Sequence, residues 1–203
     1  NSPCCDKIMA VPQAGSEIGL RAAASHRLMN VVQHGSRLYG VLGTGPCTDS
    51  CGPQGVDANN ILIWVELDCS NAVACMVSQT GKIASPTSHL AFGTIGVDDA
   101  GNLGIVGTSS SVREHLSVLL WTRRQGDPAN TFRDPITVAA GTQPYSCLNK
   151  MGMVPMGNSA GTLTSLDPLD RETLWATQQW ADNAAPCVWN TRIVGYKVGS
   201  VAR

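Results

Sequence analysis

Charge is scarce in this sequence: 14% of its 203 residues are Asp, Glu, Lys or Arg, against about 25% in an average soluble domain. Neither sign prevails. Fourteen Lys and Arg stand against fifteen Asp and Glu, a net charge of −1, so no basic field draws in nucleic acid or an anionic membrane surface. Long apolar runs are missing too. A stretch such as Ile61-Leu62-Ile63-Trp64-Val65 ends within a few residues, where a bilayer-spanning helix needs about 20, so membrane insertion is not expected. The four His, at 26, 34, 89 and 115, are scattered and lack the closely spaced partners of a structural zinc site. No initiator Met and no leader-like segment opens the chain at Asn1, so residue 1 is not expected to be the translation start, and whether the chain is a processed fragment of something longer is left open.

Gly and Pro, by contrast, are plentiful. Twenty-one Gly and eleven Pro are spread along the chain, a distribution suited to many short strands joined by tight turns. Eight Cys occur, at 4, 5, 47, 51, 69, 75, 147 and 187. Their even number, without a redox or metal motif, predicts a disulfide-bonded, secreted protein. Cys69 and Cys75 are spaced to close a loop between two strands, Cys47 and Cys51 a smaller one, and Cys147 and Cys187 are a third candidate pair. Cys4 and Cys5 are adjacent and poorly placed to bond each other.

A repeat organises the chain. Leu38-Tyr39-Gly40-Val41-Leu42-Gly43-Thr44 recurs 64 residues later as Asn102-Leu103-Gly104-Ile105-Val106-Gly107-Thr108, and a weaker copy, Thr173-Leu174-Trp175-Ala176-Thr177, follows after a further 71. Each copy has the character of a strand. Before each stand another short strand and a polar turn, the signature of a hairpin. After each comes a strand rich in β-branched and aromatic residues: 61–67, 117–122 and 192–198, with Trp64 and Trp121 in equivalent places. The first two repeats add a fourth strand, at 74–78 and 135–139, and the third does not. Residues 7–15 resemble 134–141, so the chain is expected to open with a fourth strand and close without one.

Four antiparallel strands per repeat is the pattern of a β-propeller blade. The expected architecture is all-β, one segment over 1–203: a lead-in at 1–28 and three blades at 29–83, 84–141 and 142–203. Three blades do not complete a ring, so a second chain or a missing half is expected to supply a six-bladed circle. A β-sandwich is the alternative.

Val97-Asp98-Asp99-Ala100-Gly101-Asn102-Leu103-Gly104-Ile105-Val106-Gly107-Thr108, together with Leu169-Asp170-Arg171-Glu172-Thr173-Leu174-Trp175-Ala176 and Trp189-Asn190-Thr191-Arg192-Ile193, resembles secreted sialidase-like β-propeller proteins over roughly 30–198. The resemblance implies a fold rather than an activity. Where that family commonly carries Trp-Gly-Asp-Tyr-Ser, this chain has Pro155-Met156-Gly157-Asn158-Ser159. Sialidases employ arginines and a Tyr nucleophile paired with Glu; Arg37, Arg113, Arg192, Tyr39, Tyr145 and Tyr196 exist here without a spacing that joins them, and the Asp-box at 99–101 is incomplete.

The ligand-binding candidates are His34 and His89, at strand ends that face a propeller channel; Asp98, in a turn whose oxygens suit calcium; Asn158; and Trp180, which with Trp175 and Trp189 offers faces for sugar stacking. Ser109-Ser110-Ser111 with His115 and Asp134 holds the residue types of a hydrolytic triad, and Gly157-Asn158-Ser159-Ala160-Gly161 matches a nucleophile elbow without the strand-to-helix context that motif needs. Arg123-Arg124 reads as a solvated strand end. The function expected is a binding or structural module that self-associates or pairs with another propeller half, with a glycan as ligand and no cofactor beyond calcium. The alternative is a glycoside-directed, sialidase-like hydrolase whose site forms in the completed ring, with Glu66, Asp98, Asp99, Glu114 and Asp167 as scattered carboxylates.

Overall fold

Alternating polar and apolar residues punctuated by glycine turns produce fourteen described strands and no described α-helix. The computed structural model describes residues 10–21, 28–45, 59–71, 73–147, 154–155, 163–182, 185 and 187–200.

The repeat sets three antiparallel meanders. The first runs β3 (Leu28–His34), β4 (Arg37–Thr44), β5 (Ile61–Asp68) and β6 (Met76–Ile83). The second is β7 (His89–Val97), β8 (Leu103–Ser111), β9 (Glu114–Arg123) and β10 (Ile136–Ala139). The third has β12 (Leu163–Leu166), β13 (Thr173–Trp180) and β14 (Asn190–Lys197). Strands pair in chain order within each meander, so every register is set by a local connection. The register confirms the repeat: Trp64 lies opposite Val41 and Trp121 opposite Ile105, and Val41 and Ile105 are equivalents 64 residues apart.

The second meander lies between the other two. Its β7 and β8 are buried at all nine positions each, as expected of strands covered on both faces. Tyr39, Val41, Leu62 and Trp64 of the first meander join Ile95, Leu103, Ile105 and Trp121 of the second in one core. Leu174, Ala176 and Tyr196 of the third pack on Val106, Val118 and Leu120 in another. Gly104 makes the second junction possible: a Cβ there would come within 2.3 Å of the Tyr196 hydroxyl oxygen. The inner edge of β7 is met by side-chain amides in place of a strand. Asn30 donates to the Ile95 carbonyl at 2.7 Å and accepts its N–H at 2.9 Å, while Gln178 donates to the Phe92 carbonyl at 3.0 Å.

The opening strand departs from expectation. β1 (Ala10–Gln13) does not stand unpaired; it forms a hairpin with β2 (Ser16–Arg21), turning at Gly15 with φ of +71°, and β2 pairs in parallel with β11 (Val154–Pro155). Gly15 supplies the left-handed backbone conformation that makes this turn cheap, and the local hairpin satisfies both strands within the chain. This small sheet packs on Phe92, Leu116, Tyr145 and Ala181, at the end of the meanders where β7 and β9 begin. Three meanders and a cap are a different architecture from a two-layer sandwich.

Cys69–Cys75 bridges the β5–β6 connection, and Cys147–Cys187 ties the segment after β10 to the approach to β14. Cys47 and Cys51, like Cys4 and Cys5, lie outside the described residues. No described helix is long and apolar enough to cross a membrane.

Candidate functional site

Antiparallel pairing sets Tyr39 of β4 directly across from Glu66 of β5, and Glu66 across from Gln79 of β6. This row lines one wall of a cleft of about 420 Å³, completed by His34, Gly35, Ser36 and Arg37 of the β3–β4 turn, by Gly101 of the β7–β8 turn, and by Arg123 and Gln125 at the end of β9. It opens between the first two meanders, with Glu66, Gln79 and Arg123 contributed by third and fourth strands.

Its polar groups are tightly connected. Arg37 donates to Glu66 Oε1 and to Ser78 Oγ, and also lies 3.7 Å from Asp68. Ser78 Oγ donates to Glu66 Oε1 at 3.3 Å and Gln79 Nε2 donates to Oε2 at 2.8 Å. Arg123 donates to the Gln79 side-chain oxygen at 3.0 Å and to the backbone carbonyls of Arg124 and Asp127. Burial, then the charge of Glu66, pushes the Tyr39 hydroxyl above its ordinary pKa. Asp127 is held down to about 2, chiefly by Arg133, whose guanidinium bonds both its oxygens.

Of the candidates read from sequence, His34 lines this cleft. His89 lies at the opposite end of the meanders, where its Nδ1 accepts the Asn60 N–H at 3.2 Å, so the two histidines share no site. Asp98 braces its own turn. It is buried, accepting from the Asn102 backbone N–H and side-chain amide at 2.9 and 2.8 Å. Its neighbour Asp99 is paired with Arg171. Trp180 is half-buried against the Leu174 and Tyr196 core. Trp189 stacks on Tyr145 at 3.6 Å, and Trp175, exposed, donates to Asp167 at 2.9 Å; Trp189 directly precedes Asn190, the cross-strand partner of Trp180. Asn158 and the 157–161 motif lie outside the described residues. The serine run is no triad: Ser109 bonds Glu114, Ser110 bonds the Pro12 carbonyl, and Ser111 accepts the Arg113 N–H.

Arg123 corrects the reading of a solvated strand end, since it is 4% exposed. The signal was its parity. Arg123 shares the inward alternation of Trp121, as Glu66 shares that of Leu62 and Trp64, and a charged residue at a core-phased position marks a buried polar site.

His89 gives a pH-dependent prediction. Burial lowers its pKa, and its bond to Asn60 requires the neutral ring. Once pH falls below the ordinary value of 6.5, the unfolded chain binds the proton and the folded one does not, so stability decreases until the lowered folded pKa is reached. Urea midpoints are expected to fall between pH 7 and pH 5, with a shallower fall in His89→Gln. Equal slopes in both proteins refute the assignment.

Comparison with protein-family models, with curated proteins and with solved structures finds no match for this chain.

Proposed function

We propose that the chain is three blades of a sialidase-like β-propeller, acting outside the cell as a binding or structural module and completing its ring with a second copy or another propeller half. The observation that carries this reading is the state of the two outermost sheet faces. The middle meander is covered on both sides, whereas each flanking meander presents one face with apolar side chains that no other described sheet covers. On the first, Val31 is 52% exposed, with Leu28 on the same edge strand and Val77 exposed on the opposite one; on the third, Ile193 is 65% exposed, with Leu163 and Trp175. Repeats that bury one another's faces need a cap or a neighbour at each end, and apolar patches of this kind mark interaction surfaces. The adjacency of the inner strands β3, β7 and β12 agrees with blades around an axis. Both described disulfides suit an oxidising compartment, and the polar cleft is where the module takes a glycan.

The test is solution mass by light scattering. A particle of twice the chain mass, reduced to one chain by Ile193→Asp or Val31→Asp, is expected. A monomer in all three proteins overturns self-association.

The hydrolase reading has one observation in its favour, the Tyr39–Glu66 pairing inside a cleft. Glu66 is also the one carboxylate among the described lining residues, and it is already bonded three times, whereas glycosidases of the common type use two carboxyl groups. Release of a fluorophore from a sialoside, lost in Tyr39→Phe, decides for that reading.

A further inference from the structure

The interblade cleft contains a cation, Arg123, that makes no direct ion pair among the described residues. Arg123 is 4% exposed and lines the cleft. Its three bonds go to neutral oxygens: the Gln79 side-chain amide and the backbone carbonyls of Arg124 and Asp127. Its Nε–H is buried with no acceptor at all. The neighbouring carboxylates are committed elsewhere. Glu66 bonds Arg37, Ser78 and Gln79. Asp127 turns its two side-chain oxygens to Arg133 and the Arg124 backbone N–H and hydrogen-bonds Arg123 only through its backbone carbonyl, its carboxylate feeling the Arg123 charge as the weakest of the influences that lower its pKa. The lining thus has two guanidiniums against one carboxylate, and that carboxylate bonds Arg37, which also has Asp68 at 3.7 Å outside the lining.

A buried guanidinium without a counter-charge is unfavourable in a folded protein unless something supplies the charge. Guanidinium matches the oxygens of planar and tetrahedral oxyanions in geometry as well as charge. We propose that this cleft binds a small oxyanion, a carboxylate or sulfate group, with Arg123 as its counter-charge and His34, Ser36 and Gln125 at the lining beside it. The inference rests on the reading of the cleft as a binding site and is independent of how the meanders assemble.

The experiment is an NMR titration of the purified chain, following the arginine Nε–H signals and the backbone amides of 34–37 and 101. Sodium acetate and sodium sulfate are added separately at ionic strength held constant with sodium chloride. A saturable shift of the Arg123 Nε–H signal with at least one of the two anions, centred on these residues, is expected. Response to sulfate alone identifies a tetrahedral ligand group; response to acetate, a carboxylate. Arg123→Met is expected to weaken binding at least tenfold. Gln125→Glu places a carboxylate on an exposed position of the lining without touching the core, and is expected to weaken binding several-fold while leaving the thermal midpoint unchanged; it carries the test should Arg123→Met not fold. Linear, non-saturating shifts in the wild-type protein, or wild-type affinity in Gln125→Glu, overturn the proposal. Solution mass measured on the same samples separates this outcome from a failure of the assembly.

Discussion

Trp64→Ala is expected to cost about 3–5 kcal/mol of stability, as large aromatic truncations in closed cores do. Trp64 is 1% exposed. It stands opposite Val41 and Gly81 in the central strands of its meander and meets Phe132 edge to face at 5.2 Å. That contact crosses from the first meander to the loop following β9, so the truncation opens a cavity at the junction of two sheets. Gly81→Ala does not repair it: a Cβ there would fall within 2.5 Å of both the indole nitrogen and the Asn130 carbonyl oxygen, so in Trp64→Ala the backbone clash stays and the double variant is expected to be no more stable than Trp64→Ala alone. Urea unfolding followed by circular dichroism measures both effects, and a loss below about 1 kcal/mol for the single variant contradicts a closed core at this point.

The second large effect separates the two disulfides. Cys147–Cys187 spans 40 residues and Cys69–Cys75 spans six. Chain-entropy arguments then assign about 4 kcal/mol to the long bridge and about 2 to the short one. The long bridge also anchors the cluster in which Tyr145 stacks on Trp189, so its loss loosens packing as well as the unfolded-state constraint. Replacing each pair by Ala and comparing denaturant midpoints is expected to rank Cys147–Cys187 well above Cys69–Cys75. Equal losses, or the reverse order, contradict the role given to the long bridge.

The meanders were legible because each is local. The seven-residue motif around Gly40 and its copy around Gly104 placed β4 and β8, and the Trp64 and Trp121 positions fixed the same register point in both. The hairpin of β1 and β2 was not legible, because residues 16–21, Ser-Glu-Ile-Gly-Leu-Arg, carry little of the β-branched and aromatic signal of a strand and owe their pairing to the Gly15 turn. The cleft was half legible. Arg37, Tyr39 and Glu66 were each noticed, but bringing them together requires the β4–β5 register, and joining them to Arg123 requires the packing of one meander on the next. Asp98 has a role that composition alone does not show. An acidic turn has the composition of a cation site, and the bonds to Asn102 that occupy its oxygens belong to the turn's own geometry.

The cap unites parts of the chain that are remote in sequence. Gln13 donates to the Tyr145 carbonyl and accepts the Tyr145 N–H, 132 residues away, and Leu20 of β2 pairs with Val154. The meanders ask for no such reach, each closing from neighbouring hairpins. During synthesis they are therefore able to form one after another as the chain emerges, whereas the cap waits for residues near 155. The small sheet is in this sense a latch: its first half is made ahead of all three meanders and stays unmatched until Val154 and Pro155 have appeared.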